Sequence, residues 1–111
     1  MKQQIKLMAD YQCWPLWLTN GEKFRNIDPS TLSLKSETIK DLETWANVFD
    51  SQLDLNDPKD VLNAKELSEK EWEDFEEEGM RLWKQLMKEL GSTYEVFYKS
   101  SRSGKLLKNL N

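Results

Sequence analysis

The first residues alternate. Ile5, Leu7 and Ala9 lie on one side of an extended chain and Lys6, Met8 and Asp10 on the other, the period-2 pattern of a strand with one buried face. The alternation then gives way to Tyr11, Cys13, Trp14, Pro15, Leu16 and Trp17. Pro15 lacks a backbone donor and is expected to end regular pairing. Two indoles flanking a proline need an apolar surface, which helices further along the chain would supply. Thr19-Asn20-Gly21-Glu22 carries the strongest hairpin signal of the sequence. Lys23-Phe24-Arg25 reads as a short return strand, and Asn26-Ile27-Asp28-Pro29-Ser30 as a second turn.

Two amphipathic helices follow. The first is predicted from about Glu37 to Leu53, with Ser36 as N-cap because its hydroxyl can satisfy an orphan N–H. Ile39, Leu42, Ala46, Phe49 and Leu53 form a narrow stripe at helical spacing. Trp45 sits at the edge of that stripe and Val48 well outside it. The second helix is the best specified: Ser68 and Glu71 form an S-x-x-E capping box, and Gly91 follows Leu90 as a C′ glycine. Between them Trp72, Phe75, Gly79, Leu82, Leu86 and Leu90 recur at three- and four-residue steps. Met80, Trp83 and Met87 widen the apolar face to about 160°, more than one sheet face usually demands. Gly79, on the buried side, costs about 1 kcal/mol against alanine, which predicts the close approach of another backbone.

Residues 93–98, TYEVFY, read as a strand with Tyr94, Val96 and Tyr98 on one side and Phe97 on the other. Being apolar on both faces, it belongs in the middle of a sheet, next to the opening strand. The remainder, KSSRSGKLLKNLN, is polar and basic and is expected as a frayed tail or short helix. The order predicts an α/β architecture of the α+β kind: a small two-layer βααβ domain. Both helices would pack on one face of a small sheet that pairs the N- and C-terminal strands. Residues 1–98 would be a single globular domain and 99–111 its basic tail, since 111 residues leave room for one core, not two.

Composition narrows the chemistry. Five Trp, four Phe and three Tyr predict an unusually aromatic core, and 32% charged residues a well-solvated surface. No apolar run is long enough to span a membrane, and MKQQIKLMADY lacks the apolar core of a signal peptide. The cytoplasm is the expected location. With one Cys and no His, neither a disulfide nor the common metal and nucleophile–base constellations can be built. Cys13 is expected as a small buried hydrophobe. The acids between Asp54 and Glu66 invite a calcium-loop reading, but Pro58 stands where that loop needs a ligand and the glycine is missing. No catalytic, cofactor-binding or metal residue is assigned.

Charge is unevenly placed. All 20 acids and 12 of the 16 bases precede Lys99, so an acidic body carries a basic tail. An acidic body argues against nucleic acid as a partner and for a basic protein. Glu66, Glu69, Glu71, Glu73, Asp74, Glu76, Glu77 and Glu78 crowd thirteen residues offset only by Lys70. Helix polarity explains part of this, because Arg81, Lys84 and Lys88 occupy the C-terminal half, and Glu77 with Arg81 makes a favourable i,i+4 pair. Glu69–Glu73, Glu73–Glu77 and Asp74–Glu78, however, are like-charge i,i+4 pairs, each costing roughly 0.2–0.5 kcal/mol. Three such pairs suggest a docking surface for a basic partner.

The series LMADYQCWPLW, NIDP, LETWANVFDSQLDLNDP behind a leading serine, FEEEGMRLWKQLMKELG and TYEVFY resembles a family of small bacterial proteins. That family belongs to polymorphic-toxin and contact-dependent growth inhibition loci, and its members look like immunity proteins. The resemblance covers most of residues 5–98; D-Y-x-C-W-P-L-W and N-I-D-P are its most specific pieces. The basic tail lies outside it, and Lys59 to Lys65 departs from the short glycine-containing loop expected after Asp57-Pro58. It implies a non-enzymatic protein that binds a cognate toxin, often a nuclease, inside the producing cell. Candidate contacts are the outward acids Glu73, Asp74, Glu77 and Glu78, with Glu66 and Glu69 at the helix start and Asp10, Tyr11 and Trp14 from the loop. Two rival readings stand beside it. One is a small enzyme or ligand-binding domain with a pocket at Tyr11–Trp17. The other is a subunit that buries the wide face of the second helix in a homodimer.

Overall fold

The opening alternation forms β1 (Gln3–Leu7), whose Ile5 and Leu7 are buried. In the computed structural model, which describes residues 3–19, 23–52 and 67–108, the chain turns back as β2 (Leu16–Thr19) and again as β3 (Phe24–Ile27). A 3-10 turn at Pro29–Thr31 leads into α1 (Ser36–Asp50) and α2 (Glu69–Leu90). The chain returns as β4 (Tyr94–Lys99) and ends in β5 (Leu106–Leu107). The sheet order is β3-β2-β1-β4-β5. β1 and β4 run parallel and the other pairs antiparallel; a parallel pair needs a long crossover, which the two helices provide.

Register decides what the helices cover. Ile5 lies opposite Leu18 and Val96, Leu7 opposite Leu16 and Tyr98, and Leu16 opposite Ile27. Partners across a ladder share a face, so these residues make one apolar surface. Leu42, Trp45 and Phe49 of α1 and Phe75, Leu82, Trp83, Leu86 and Leu90 of α2 close over it as one core. The result is the two-layer α+β domain the order of elements predicts, with N- and C-terminal strands adjacent at its centre. The breadth of the α2 face has a simple cause: Trp83 donates its indole N–H to the Val96 carbonyl at 2.8 Å, while Phe75 stacks on Trp45 of α1. One helix packs on both the sheet and its neighbour.

Several local expectations are corrected. β2 was not foreseen, because Pro15 was expected to stop pairing there. Proline loses its donor but keeps its acceptor, and the Met8 N–H donates to the Pro15 carbonyl at 2.9 Å, so the hairpin closes through Pro15. β3 extends through Asn26 and Ile27, residues expected in a turn. The Asn26 carboxamide instead clamps the Trp14 backbone, accepting from its N–H at 3.0 Å and donating to its carbonyl at 2.6 Å. The two most distinctive sequence pieces, around Trp14-Pro15 and at Asn26, are therefore one structural unit. The aromatic knot is not buried as a whole: Pro15 is, but Trp14 is 46% exposed. Within the basic segment after Lys99, Leu106–Leu107 add β5 to the sheet edge. Gly91 ends α2 with φ −61°, so it is not the left-handed C′ residue expected. Gly79 makes room for side chains rather than backbone: a Cβ there would lie 2.6 Å from the Tyr98 hydroxyl and 3.0 Å from Trp45. The turn at Asn20-Gly21, the Leu53 end of the first helix and the polar connection around Asp54–Glu66 lie outside the described residues.

Ser36 is not the N-cap of α1; Lys35 holds that position and offers no side-chain cap. Its N–H is satisfied from α2, donating to Glu89 at 2.7 Å, while Thr38 Oγ1 and Gln85 Nε2 donate to the other carboxylate oxygen. Burial alone would raise the Glu89 carboxyl, but these donors outweigh it and hold it below the ordinary carboxylate value. A carboxyl depressed by folding contributes stability above its unfolded pKa and loses that contribution as pH falls through its folded value. Unfolding by urea at pH 7 and at about pH 3 is therefore expected to show the parent losing more stability on acidification than Glu89→Gln. Parallel losses in the two proteins would show that Glu89 is not the cap.

Candidate functional site

Where α1 and α2 lie side by side, their outer shoulders leave an open groove of about 420 Å³. Thr44, Trp45 and Val48 line it from α1, and Glu71, Asp74, Phe75 and Glu78 from α2. Its floor is rigid. The Trp45 and Phe75 rings stack nearly parallel, 5° apart with centroids at 4.5 Å. The Trp45 indole N–H also donates to the Phe75 carbonyl at 2.9 Å. Val48, exposed at one lip, is the residue that falls well outside the helical stripe. Its misplacement was the one sequence signal of this groove.

Carboxylates form the rim. Asp74 takes Lys70 at 3.2 Å, and Glu78 takes Arg81, which also reaches Asp41 of α1 at 3.1 Å. The Glu77–Arg81 pair expected from spacing is not formed; Asp41 draws the guanidinium toward α1, where Glu78 meets it. Asp41 and Glu71 were not among the expected contacts, and both stand at this groove or its end. These ion pairs are solvent-exposed, and such pairs contribute only about 0–1 kcal/mol. A cation brought by a partner can therefore exchange for Lys70 or Arg81 at little cost.

The other expected residues are divided by the fold. Glu73 and Glu77 are exposed about 60–100° further round α2, with no ion pair among the described residues. Glu69 pairs with Arg102, whose guanidinium lies 5.7 Å from the Trp72 ring centroid. Each like-charge i,i+4 pair except Glu73–Glu77 thus has a member neutralised by a cation. Glu76 turns inward instead, accepting from the Tyr98 and Ser100 hydroxyls at 2.8 Å each. Burial first, and then Glu76, push the Tyr98 phenol far above its ordinary value. Glu66 lies outside the described residues.

Asp10, Tyr11 and Trp14 form a separate exposed loop at the ends of α1 and α2. Tyr11 stacks on Phe49 at 4.5 Å, and Phe49 meets Trp72 edge-on at 6.4 Å. Gln12, at φ 57°, donates its N–H to Asp50 at 2.9 Å, and Asp10 accepts from the Tyr11 N–H at 2.8 Å. The loop is therefore pinned to the C-terminal end of α1, and none of its residues lines the α1–α2 groove. Cys13 within it is partly exposed rather than buried, and burial followed by Asp10 and Asp50 raises its thiol. Trp17 spends its indole N–H on the Met8 carbonyl at 3.0 Å, so the aromatic stretch is used in packing and in this loop.

Among the described residues, no group of three or more His, Cys, Asp or Glu is placed to hold a metal ion. No helix among them is long and apolar enough to cross a membrane. Compared with known families, the chain matches the one described as Serratia CdiI immunity protein-like over residues 3–101. No curated protein matches the chain at a significant level.

Proposed function

The chain belongs to the Serratia CdiI immunity protein-like family, and from that premise we propose that it binds a cognate protein toxin and neutralises it, with the acid-rimmed α1–α2 groove as the contact. The match across residues 3–101 carries the immunity role. The interface rests on the groove itself, where an apolar floor of Val48, Phe75 and Trp45 lies beneath Glu71, Asp74 and Glu78. A Lys or Arg side chain suits such a place, because its aliphatic stem packs on the floor while its charge meets the rim. A nuclease-type toxin has a basic cleft for its nucleic acid, and cations of that cleft would seat here. Glu73 and Glu77 extend the negative field around α2 and steer the encounter. Glu69, Asp10, Tyr11 and Trp14 would extend the contact beyond the groove.

Neutralisation of this kind is occupation, not catalysis. The immunity protein covers the cleft inside the producing cell, so no chemistry is asked of its own side chains. The partly exposed Cys13 agrees with this reading, since its raised thiol is a weak nucleophile.

The test is co-expression with the product of the adjacent upstream gene as the candidate toxin, followed by salt titration of the purified complex. A tight complex that weakens steeply with salt is the expected result. Tight binding indifferent to salt would move the interface away from the acid rim. A toxin that stays active and unbound would remove the immunity role altogether.

A further inference from the structure

The sheet has a second face. Counting across the ladders from the core face, Lys6, Trp17, Phe24, Phe97, Lys99 and Leu106 point the other way. Among the described residues no helix packs on this side, and Phe24 and Leu106 are 50% and 44% exposed. Phe97 and Lys108 line both a hollow of about 270 Å³ on this face and one of about 590 Å³ that continues past β4 to Met87 and Gly91.

We propose that this open face is a second docking surface, made for an acidic and partly apolar segment of a protein partner. The charge argument is direct. Among the described residues, Lys70, Arg81 and Arg102 on the helix side are ion-paired and Lys40, Lys84 and Lys88 there are not. What sets the open face apart is that its Lys6 and Lys108 lie against aromatic rings and beside an apolar hollow. Lys6, Lys99 and Lys108 have no carboxylate within ion-pair distance among the described residues. Lys6 is nearly buried, and its ammonium is pushed toward neutrality by burial and by Lys99. A carboxylate laid between Lys6 and Lys99 relieves both effects. Glu95 lies on the face beyond Phe97 and away from Lys99, and Asp10, past the end of β1, offsets part of the effect on Lys6.

The rings decide between carboxylates and nucleic acid, the other polyanion that aromatic sheets bind. Base stacking needs free ring faces. Here the Lys6 ammonium sits 4.0 Å from the Phe24 centroid and 6.0 Å from that of Trp17, and Lys108 lies 6.0 Å from that of Phe97. Cation–π contact already engages the rings and leaves the ammonium hydrogens to donate outward. Lysines lack the forked donors that fit phosphate bidentately, and the rest of the chain is acidic, which repels a polyanion longer than the patch. An acidic peptide with interspersed apolar side chains matches both the lysines and the hollows. This face and the α1–α2 groove lie on opposite sides of the sheet, so they serve different partner surfaces.

Fluorescence anisotropy with the full chain tests this. The probes are a short labelled peptide of alternating Glu and Leu, its Lys-for-Glu counterpart, and labelled oligothymidylate. Saturable binding of the acidic peptide alone is expected, weakened about tenfold by Lys99→Glu/Lys108→Glu. Lys108→Glu alone, at an exposed position, should reproduce a smaller loss without touching the fold, and toxin capture by both variants should be unchanged. No saturable binding, equal binding of the basic peptide or tighter binding of oligothymidylate overturns the proposal. So does self-association in sedimentation that the variants abolish, which would give the face to a second copy.

Discussion

Trp45→Ala is expected to lower the unfolding free energy by about 3–5 kcal/mol, a large share of the roughly 5–15 kcal/mol typical of a domain. Trp45 is 2% exposed and joins three parts of the structure. It stacks on Phe75, tilts against Tyr98 at 6.4 Å, and passes close to the backbone of Gly79. Its N–H adds a bond to the Phe75 carbonyl, fixing α1 against α2 in both rotation and translation. Removing the indole leaves a cavity between the two helices and takes away the stacking and the hydrogen bond that hold α1 on α2. Trp45→Phe separates the terms: it retains a ring but loses the hydrogen bond and some volume, for about 1–2 kcal/mol. Urea unfolding followed by far-UV circular dichroism measures both. A loss below about 1 kcal/mol for the alanine variant would mean that the helices are held by the sheet alone, and the groove would then have no rigid floor.

The importance of Trp45 shows where sequence reasoning stops. On a helical wheel it lies at the edge of the α1 stripe, because that stripe is centred on one direction of burial. The structure buries Trp45 in two directions, against Phe75 of α2 and against Tyr98 of the sheet, and the first depends on where α2 lies. By contrast, most of α2 was legible: its capping box, its apolar spacing and its breadth are local facts, and both halves of the Ser68–Glu71 box form as read, whereas the roles of Gly79 and Gly91 were not. The adjacency of β1 and β4 was legible for a similar reason, since a strand apolar on both faces has few other places to go. β2 was missed because Pro15 was judged by the donor it lacks, not the acceptor it keeps. The acidic stretch was half legible. Its density is written in the chain, but which acids are neutralised is not. Arg81 chooses Glu78 over Glu77 only because Asp41 comes near from another helix.

That selection makes the acids experimentally separable. Asp74→Lys/Glu78→Lys is expected to weaken toxin binding on the order of 100-fold at low salt, about 2.7 kcal/mol. It both repels the incoming cation and places new ammonium groups over the apolar floor. Part of the loss should be in dissociation, because rim contacts in the bound state are removed, and part should persist at about 0.5 M salt, where long-range fields are screened. Glu73→Lys/Glu77→Lys removes the same formal charge from the same helix, but those residues do not line the groove. Its effect should fall on the association rate and vanish with salt, as steering does. Neither change should unfold the domain, since Asp74 and Glu78 are 60% and 39% exposed and their ion pairs contribute little; melting temperature serves as the control. Net charge alone would make the two variants equal, so any difference between them reports position. If the Glu73/Glu77 variant lost binding in high salt while the Asp74/Glu78 variant kept it, the toxin would have to sit on the outward ridge of α2. The apolar floor would then need another explanation.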